Sequence, residues 1–398
     1  MKIIYLLSVF YLMISFLFYK KANKKLSIVS SIIYTIGVLF CYNTMVVCLY
    51  TFLKIKGSLL VLSLFNYGIG SLLNLISLKR KERQQYIFDK KEFMVVICIL
   101  LIAFLIGFFR FRGFTTISYE TGDPAIHYRQ ALHFKEKLEI LGMENSKDIV
   151  YVNFYRALPI SYVNSGLLLH IFSDMSSYQL FTIYDVLCYG LYAILFFVTI
   201  FQILGQKKKY LFYSFILTLL YMLAFPLNNL VFGFCYLGLG IMVVNLLYLT
   251  VRQIKDFDKQ VLFQLCLLFI LTFSVFFSYY LFMPCVYLAL GLYYIYLWKK
   301  KKLSLKKLLL YGIVTLIIPF LIGFIHFILP DYTVFREGTI AAAAKSEGYI
   351  YSNITPIYLL IVITGIILYK KAKGGDEKNY LQFNLEVITG YIFLFLIN

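Results

Sequence analysis

The chain has little charge, and most of what it has is of one sign. Only 14% of its 398 residues are charged, with 19 acidic residues against 38 lysines and arginines. A water-soluble protein of this length needs far more polar surface to cover its core. No long polar stretch offers room for a soluble domain, and no coiled-coil heptad or internal repeat is visible. Histidine (4), proline (7) and tryptophan (1) are sparse. All seven cysteines (41, 48, 98, 188, 235, 266 and 285) fall inside apolar runs, with no CxxC. That argues against a disulfide framework and a zinc site, and the thiols read as small buried hydrophobes. A basic residue and an apolar stretch open the chain, but no small-x-small cleavage site follows before Tyr19-Lys20-Lys21. The first stretch therefore reads as a membrane helix rather than a removable leader.

What fills the chain is apolar sequence. Hydrophobic residues make up 61% and aromatics 19%, and mean hydropathy is +0.81. Apolar runs of 16 to 25 residues recur along the whole length. Each matches the ~20 residues an α-helix needs to cross ~30 Å of hydrocarbon. Backbone groups have no water to bond there, so only helices or closed barrels can cross. The runs are continuous rather than alternating, which selects helices.

Six basic blocks punctuate these runs: 20–25, 79–91, 207–209, 252–259, 299–307 and 370–378. They hold 26 of the 38 lysines and arginines. Two crossings fit between each adjacent pair, and one at either end. The expected fold is an all-α polytopic membrane protein of about 12 transmembrane helices, with every basic block on the cytoplasmic side. The +19 formal charge is thus assigned to topology and anionic lipid, not to nucleic acid. Helices are expected near 3–19, 27–51, 58–77, 93–109, 180–204, 210–225, 230–251, 260–277, 282–298, 308–329, 354–369 and 381–397.

This divides the chain into four N-terminal spans (1–110), a long non-cytoplasmic loop (111–179) and six spans (180–329). A second non-cytoplasmic loop (330–353) and the C-terminal spans (354–398) follow. A loop of that first length calls for a function or an ordered structure of its own. From Arg110 to Gln179 it carries seven basic and seven acidic residues, unlike the lysine blocks.

Its dense part is Glu120-Thr-Gly-Asp123-Pro-Ala-Ile-His127-Tyr-Arg129-Gln-Ala-Leu-His133. Asp123-Pro124 is a helix-start signal, with Asp at N-cap and Pro at N1. A helix to about Leu141 would place His127, Gln130 and Phe134 on one face. Glu120, Asp123 and His127 are the candidate catalytic residues. Glycosyl transfer to a hydroxyl needs a base for the acceptor proton and a cation for the leaving phosphate. A carboxylate can serve as the base. Arg129 and Arg156 suit a phosphate, because a guanidinium donates two parallel hydrogen bonds. No cofactor is required, and a divalent metal on oxygen ligands is an open alternative. Asp123 as a plain helix cap, His127 as an interfacial histidine and Glu120 as a solvated carboxylate are the plainer readings. His133 reads as structural.

The apolar stretch 160–172 is too short to span and fits a helix lying on the bilayer surface. In the second loop, Arg336, Lys345 and Tyr349 form a candidate substrate clamp, with Tyr351 beside them. An ordinary surface loop with interfacial tyrosines reads equally. Asp185 is the exceptional charge within an apolar run, near its external end. Such a residue is functional by default, or sits at the interface.

Asp123, Tyr128, Ala131, Leu158-Pro159 and the 160–172 helix resemble the first external loop of GT-C integral-membrane glycosyltransferases. There an acidic residue precedes an Asp-x-x-x-Tyr-x-x-x-Ala helix, a proline segment and a juxtamembrane helix. His127 stands at that family's Tyr position and Pro124 at its second acidic position. The whole-chain profile is similar to bacterial Wzy-type capsule and O-antigen polymerases. That similarity implies joining of polyprenyl-diphosphate-linked oligosaccharide units on the outer face of the bacterial cytoplasmic membrane. It implies arginines on the diphosphate, no nucleotide sugar, and other polysaccharide-assembly proteins as potential partners. Single-sugar transfer from a polyprenyl-phosphate donor, a unit flippase or transporter, and a non-enzymatic scaffold stay open beside it.

Overall fold

The computed structural model describes residues 1–20, 27–78, 88–115, 119–140, 159–204, 208–254, 257, 260–279 and 282–325. The expected spans near 354–369 and 381–397 lie outside the described residues. So do Arg156, Arg336, Lys345 and Tyr349.

The described chain is helical: α1 (Lys2–Lys20), α2 (Ile28–Phe52), α3 (Leu59–Leu78), α4 (Lys90–Arg110), α5 (Asp123–Lys137), α6 (Pro159–Ile171) and α7 (Ser177–Ile203). There follow α8 (Leu211–Leu223), α9 (Phe225–Phe232), α10 (Cys235–Gln253), α11 (Val261–Tyr279), α12 (Met283–Lys299), α13 (Leu305–Gly312) and α14 (Ile318–Gly323). Among the described residues, nine segments are long and apolar enough to cross a membrane. Ten spans were expected there from sequence. The tenth, α12, forms but is 17 residues long.

Two spans depart from regular helices. The α8–α9 segment breaks at Ala224 (φ −91°, ψ −114°) ahead of Pro226. The α13–α14 segment passes through a π-helical stretch, Ile313–Ile317, ahead of Pro319. Each break precedes a proline that cannot continue the α-helical hydrogen-bond ladder. Run length alone predicts a helix over 230–251. Gly233, at φ +77°, instead ends α9, and α10 starts at Cys235.

The chain forms two compact units, one of Met1–Lys255 with Phe277–Tyr280 and one of Asp256–Phe276 with Leu281–Asn398. In the first, α7 is the central helix, buried along most of its length, with α2, α4, α8 and α10 packed on it. Exposed leucines and phenylalanines on α3, α4 and α8 suit contact with lipid. In the second unit, Tyr294 and Tyr311 are buried, and the Tyr311 hydroxyl donates to Gln264 Oε1 at 2.5 Å.

Polar side chains join α1 to α3. Asn66 Nδ2 donates to Ser8 Oγ at 3.0 Å, and Asn74 Nδ2 to Tyr11 Oη at 3.1 Å and Ser15 Oγ at 2.9 Å. Gly70 lets the Tyr11 ring approach the α3 backbone. Lipid tails give no hydrophobic drive between helices, so close packing and such bonds hold spans together. Asn74→Leu is expected to lower stability in mixed micelles by about 1 kcal/mol, since bonds of this kind average ~0.6 kcal/mol each. Reversible unfolding monitored by circular dichroism measures this, and an unchanged midpoint would refute it.

The two ends of the first unit are distinct. At one, Ser27 Oγ donates to Glu92 Oε1 at 2.7 Å, and Ser30 donates to the same oxygen. Lys90 and Lys91, the first two residues of α4, lie at this end. At the other, Lys2 Nζ donates to Ser173 Oγ at 2.7 Å and Gly57 N to Glu139 Oε1 at 2.8 Å. The start of α1, the α2–α3 turn and the segments after α5 and α6 therefore share one end, as the alternating crossings require.

The short helix α6 lies elsewhere than the sequence suggested. Ten of its thirteen residues are buried, and Asn164 Nδ2 donates to the Phe40 carbonyl and Thr44 Oγ1, both at 3.2 Å. Phe40 and Thr44 belong to the middle of α2. α6 thus dips into the bundle instead of lying on the bilayer surface. Its closest neighbour is α5, because Gly166 leaves no Cβ to fill the space. An atom there would stand 2.7 Å from Phe134 Cδ1 and 2.9 Å from the Ala131 carbonyl.

Candidate functional site

The site is built where α5 begins. Five contacts pin the loop before it. Glu120 N donates to the Val231 carbonyl at 3.1 Å, and Thr121 Oγ1 to the Phe232 carbonyl at 2.8 Å. Arg110 Nη2, at the end of α4, pairs with Glu120 Oε1 at 2.9 Å. The Tyr119 hydroxyl donates to Asp185 Oδ2 at 2.6 Å. Gly233 packs so closely under Pro124 that a Cβ there would overlap the proline ring. The left-handed conformation and the close approach both require glycine at that position.

Asp123 then starts α5 and is exposed. It is not the N-cap: Gly122 occupies that position, Asp123 is the first helical residue and Pro124 follows it, with no side-chain cap hydrogen bond. The carboxylate is therefore not consumed in capping, although it still benefits from the helix dipole. It has no hydrogen bond or ion pair with a described residue. Glu120, by contrast, is committed to Arg110.

His127, one turn on, is 7% exposed. Nδ1 meets Gln130 Oε1 at 3.2 Å, and its ring lies 4.9 Å from that of Tyr236 at the start of α10. Burial pushes its pKa below the ordinary 6.5, while Gln130 and the Asp123 charge partly offset that. The face predicted from His127, Gln130 and Phe134 is indeed the buried face of α5. Arg129 is exposed on the opposite side, about 9 Å along the axis from Asp123 at 1.5 Å per residue. The structure therefore brings Asp123 and His127 together, ties Glu120 to Arg110, and leaves Arg129 apart from both.

A lowered imidazole pKa links to stability. The unfolded chain takes up a proton near pH 6.5, whereas the folded chain resists until a lower pH. Stability is therefore full above 6.5 and falls as pH drops below it. The thermal midpoint in detergent is expected to decline between about pH 6.5 and 5, and less steeply in His127→Gln. Equal slopes in the two proteins would refute the assignment.

Beneath the loop lies a group that sequence had singled out but not placed in the site. Asp185, 3% exposed, sits eight residues into α7, roughly 12 Å below its start. The Cys235 thiol lies against its carboxyl, and Oδ1 has no hydrogen-bond partner of normal geometry among the described residues. Burial, and then the Asp185 charge, drive the Tyr119 hydroxyl far up from its ordinary pKa, so it remains a donor. Arg110 stands near enough to oppose that shift, and its Nε has no hydrogen-bond partner among the described residues. Arg110, Tyr119 and Tyr236 were not among the sequence candidates. An arginine at the last turn of an apolar run is a readable signal. The partners of Tyr119 and Tyr236 are set only by long-range packing.

Among the described residues no group of three or more His, Cys, Asp or Glu side chains could hold a metal ion. The helices, their apolar faces and these buried polar contacts define an all-α polytopic membrane protein, with one polar end of its first unit elaborated by α5 and α6. No family model, curated protein or solved structure matches the chain.

Proposed function

We propose that the chain is a membrane glycosyltransferase. It joins polyprenyl-diphosphate-linked oligosaccharide units into capsular or surface polysaccharide on the outer face of a bacterial cytoplasmic membrane. The observation that carries this reading is the exposed Asp123 carboxylate, unpaired among the described residues, beside His127 on a helix anchored across one end of the spans. In the proposed step the acceptor hydroxyl attacks the anomeric carbon of the lipid-linked donor. Its proton passes to Asp123. The carbon–oxygen bond to the diphosphate breaks, and the diphosphate leaves with the electron pair. Arg110, 23% exposed beside Glu120, and Arg129, further along α5, are cations suited to that anion. Glu120 holds Arg110 in place, and His127 supports Asp123 as a neutral neighbour. Arg156, Arg336, Lys345 and Tyr349 keep their proposed substrate-binding roles, and a divalent metal remains an alternative counter-charge. Gel profiling of glycans from cells carrying site variants tests the reading.

One observation favours a second reading. Asp185, the buried Asn229, whose Nδ2 has no partner among the described residues, and the break at Ala224 place polar groups and a discontinuous helix within the spans, as transporters do. A flippase would fail to expose the lipid-linked unit at the surface when Asp185 is changed. A polymerase would expose it unpolymerised. Labelling intact cells with a membrane-impermeant glycan reagent separates the two.

A further inference from the structure

At the far end of α5 the chain forms a cleft of about 680 Å³. This lies within the ~300–1,000 Å³ of small-molecule sites. Lys56 and Ser58 line it from the α2–α3 turn, Glu136, Lys137 and Glu139 from α5 and the residues after it, and His170 from the end of α6. Its frame is fixed by contacts between these elements. Gly57 N donates to Glu139 Oε1 at 2.8 Å, the Tyr50 hydroxyl donates to the Leu138 carbonyl, and His170 Nδ1 donates to the Lys135 carbonyl at 2.7 Å. Gly57 abuts the Leu138 carbonyl so closely that any side chain there would overlap it.

The lining selects its occupant by charge. Glu136 and Glu139 would repel a phosphate, and Lys56 and Lys137 would repel a cation. Sugar hydroxyls use both signs, donating to carboxylates and accepting from ammonium groups. The Nε2 of His170 adds an acceptor when the ring is neutral, because Nδ1 carries the proton given to Lys135. Leu138 and the leucines at the start of α3 offer apolar surface for the C–H faces of a pyranose ring.

The position is equally telling. Asp123 and Lys137 are the first and last residues of α5, about 21 Å apart along its axis at 1.5 Å per residue. Ala125, Arg129 and Glu136 are exposed and share one stripe of the helix. That stripe leads from the Asp123 end to the cleft. A glycan reacting at Asp123 could lay its remote sugars along this stripe and into the cleft.

We propose that the cleft is a carbohydrate subsite, which holds the part of the glycan several sugars away from the bond being made. This rests on the glycosyltransferase reading, and its test has a readout that does not need catalysis. The probe is the oligosaccharide released by mild acid from the lipid carrier of the host cells. Saturation-transfer NMR measures its binding to the full chain in nanodiscs. Wild type and Asp123→Asn are expected to bind it. Lys56→Ala/Glu136→Ala, which changes two exposed side chains, should weaken Kd about tenfold and shorten the polymer made in cells. Equal binding by the double variant, no binding by any form, or displacement of the sugar by a zwitterionic short-chain lipid would each overturn the proposal. Normal polymer in Asp123→Asn cells would overturn the catalytic reading alone, because the NMR result stands apart from turnover.

Discussion

Cells whose sole copy of this gene encodes Asp123→Asn are expected to lose the polymer ladder and accumulate one lipid-linked unit, with normal amounts of protein in the membrane. The substitution is nearly isosteric and removes no cap hydrogen bond, because the Asp123 side chain makes none. It should therefore spare the fold and remove only the base. General-base catalysis contributes on the order of 10²–10⁴ in rate, enough to clear a gel of long chains. Glu120→Gln is the informative companion. It weakens the Arg110 pair but leaves Asp123 intact, so shorter polymer is expected rather than none. Long polymer of normal distribution in Asp123→Asn would remove the catalytic assignment.

Gly233→Val should act as strongly through packing. The residue has φ +77°, a conformation costing roughly 1–2 kcal/mol for a residue with a Cβ. The new Cβ would also overlap the Pro124 ring and stand 3.0 Å from Tyr119 Cδ1. Something must move, and the Tyr119–Pro124 loop is the lighter partner. A stability loss of about 3 kcal/mol or more is expected, along with loss of polymer as Asp123 is displaced. Adding Pro124→Ala to Gly233→Ala should recover part of both, because the smaller side chain vacates the contested space. A wild-type unfolding midpoint and normal polymer in Gly233→Ala would mean that the two residues do not meet.

The spans were legible in the sequence because lipid leaves a helix few alternatives. Run length and lysine spacing located the spans of the described chain within a few residues, apart from α9, which falls between the expected 210–225 and 230–251 helices. Irregularities were harder. Pro226, just past the expected 210–225 helix, did not say whether the chain would bend or break at Ala224, since that depends on what satisfies the freed carbonyls. For α6, hydropathy gave the length correctly and the depth wrongly. Short apolar helices look the same whether they rest on a bilayer or slot beside α2, and Asn164 and Gly166 gain their meaning from Thr44 and Phe134. The site was half readable. Asp123 and His127 are one helical turn apart, so their meeting is local. The Arg110–Glu120 pair needs the chain to turn back after α4. The Tyr119–Asp185 bond joins residues 66 positions apart, which no spacing rule reaches.

The burial of α6 also bears on how the chain is made. Thirteen residues with Asn164, two serines and a histidine are too short and too polar to partition into lipid unaided as a crossing. Its neighbours α7 and α10 emerge from the ribosome after it. The helix must therefore wait at the membrane border and slide into place once those later spans have inserted. Biogenesis then acquires an order, in which the polar end of the first unit is completed last, after the surrounding wall of helices is standing.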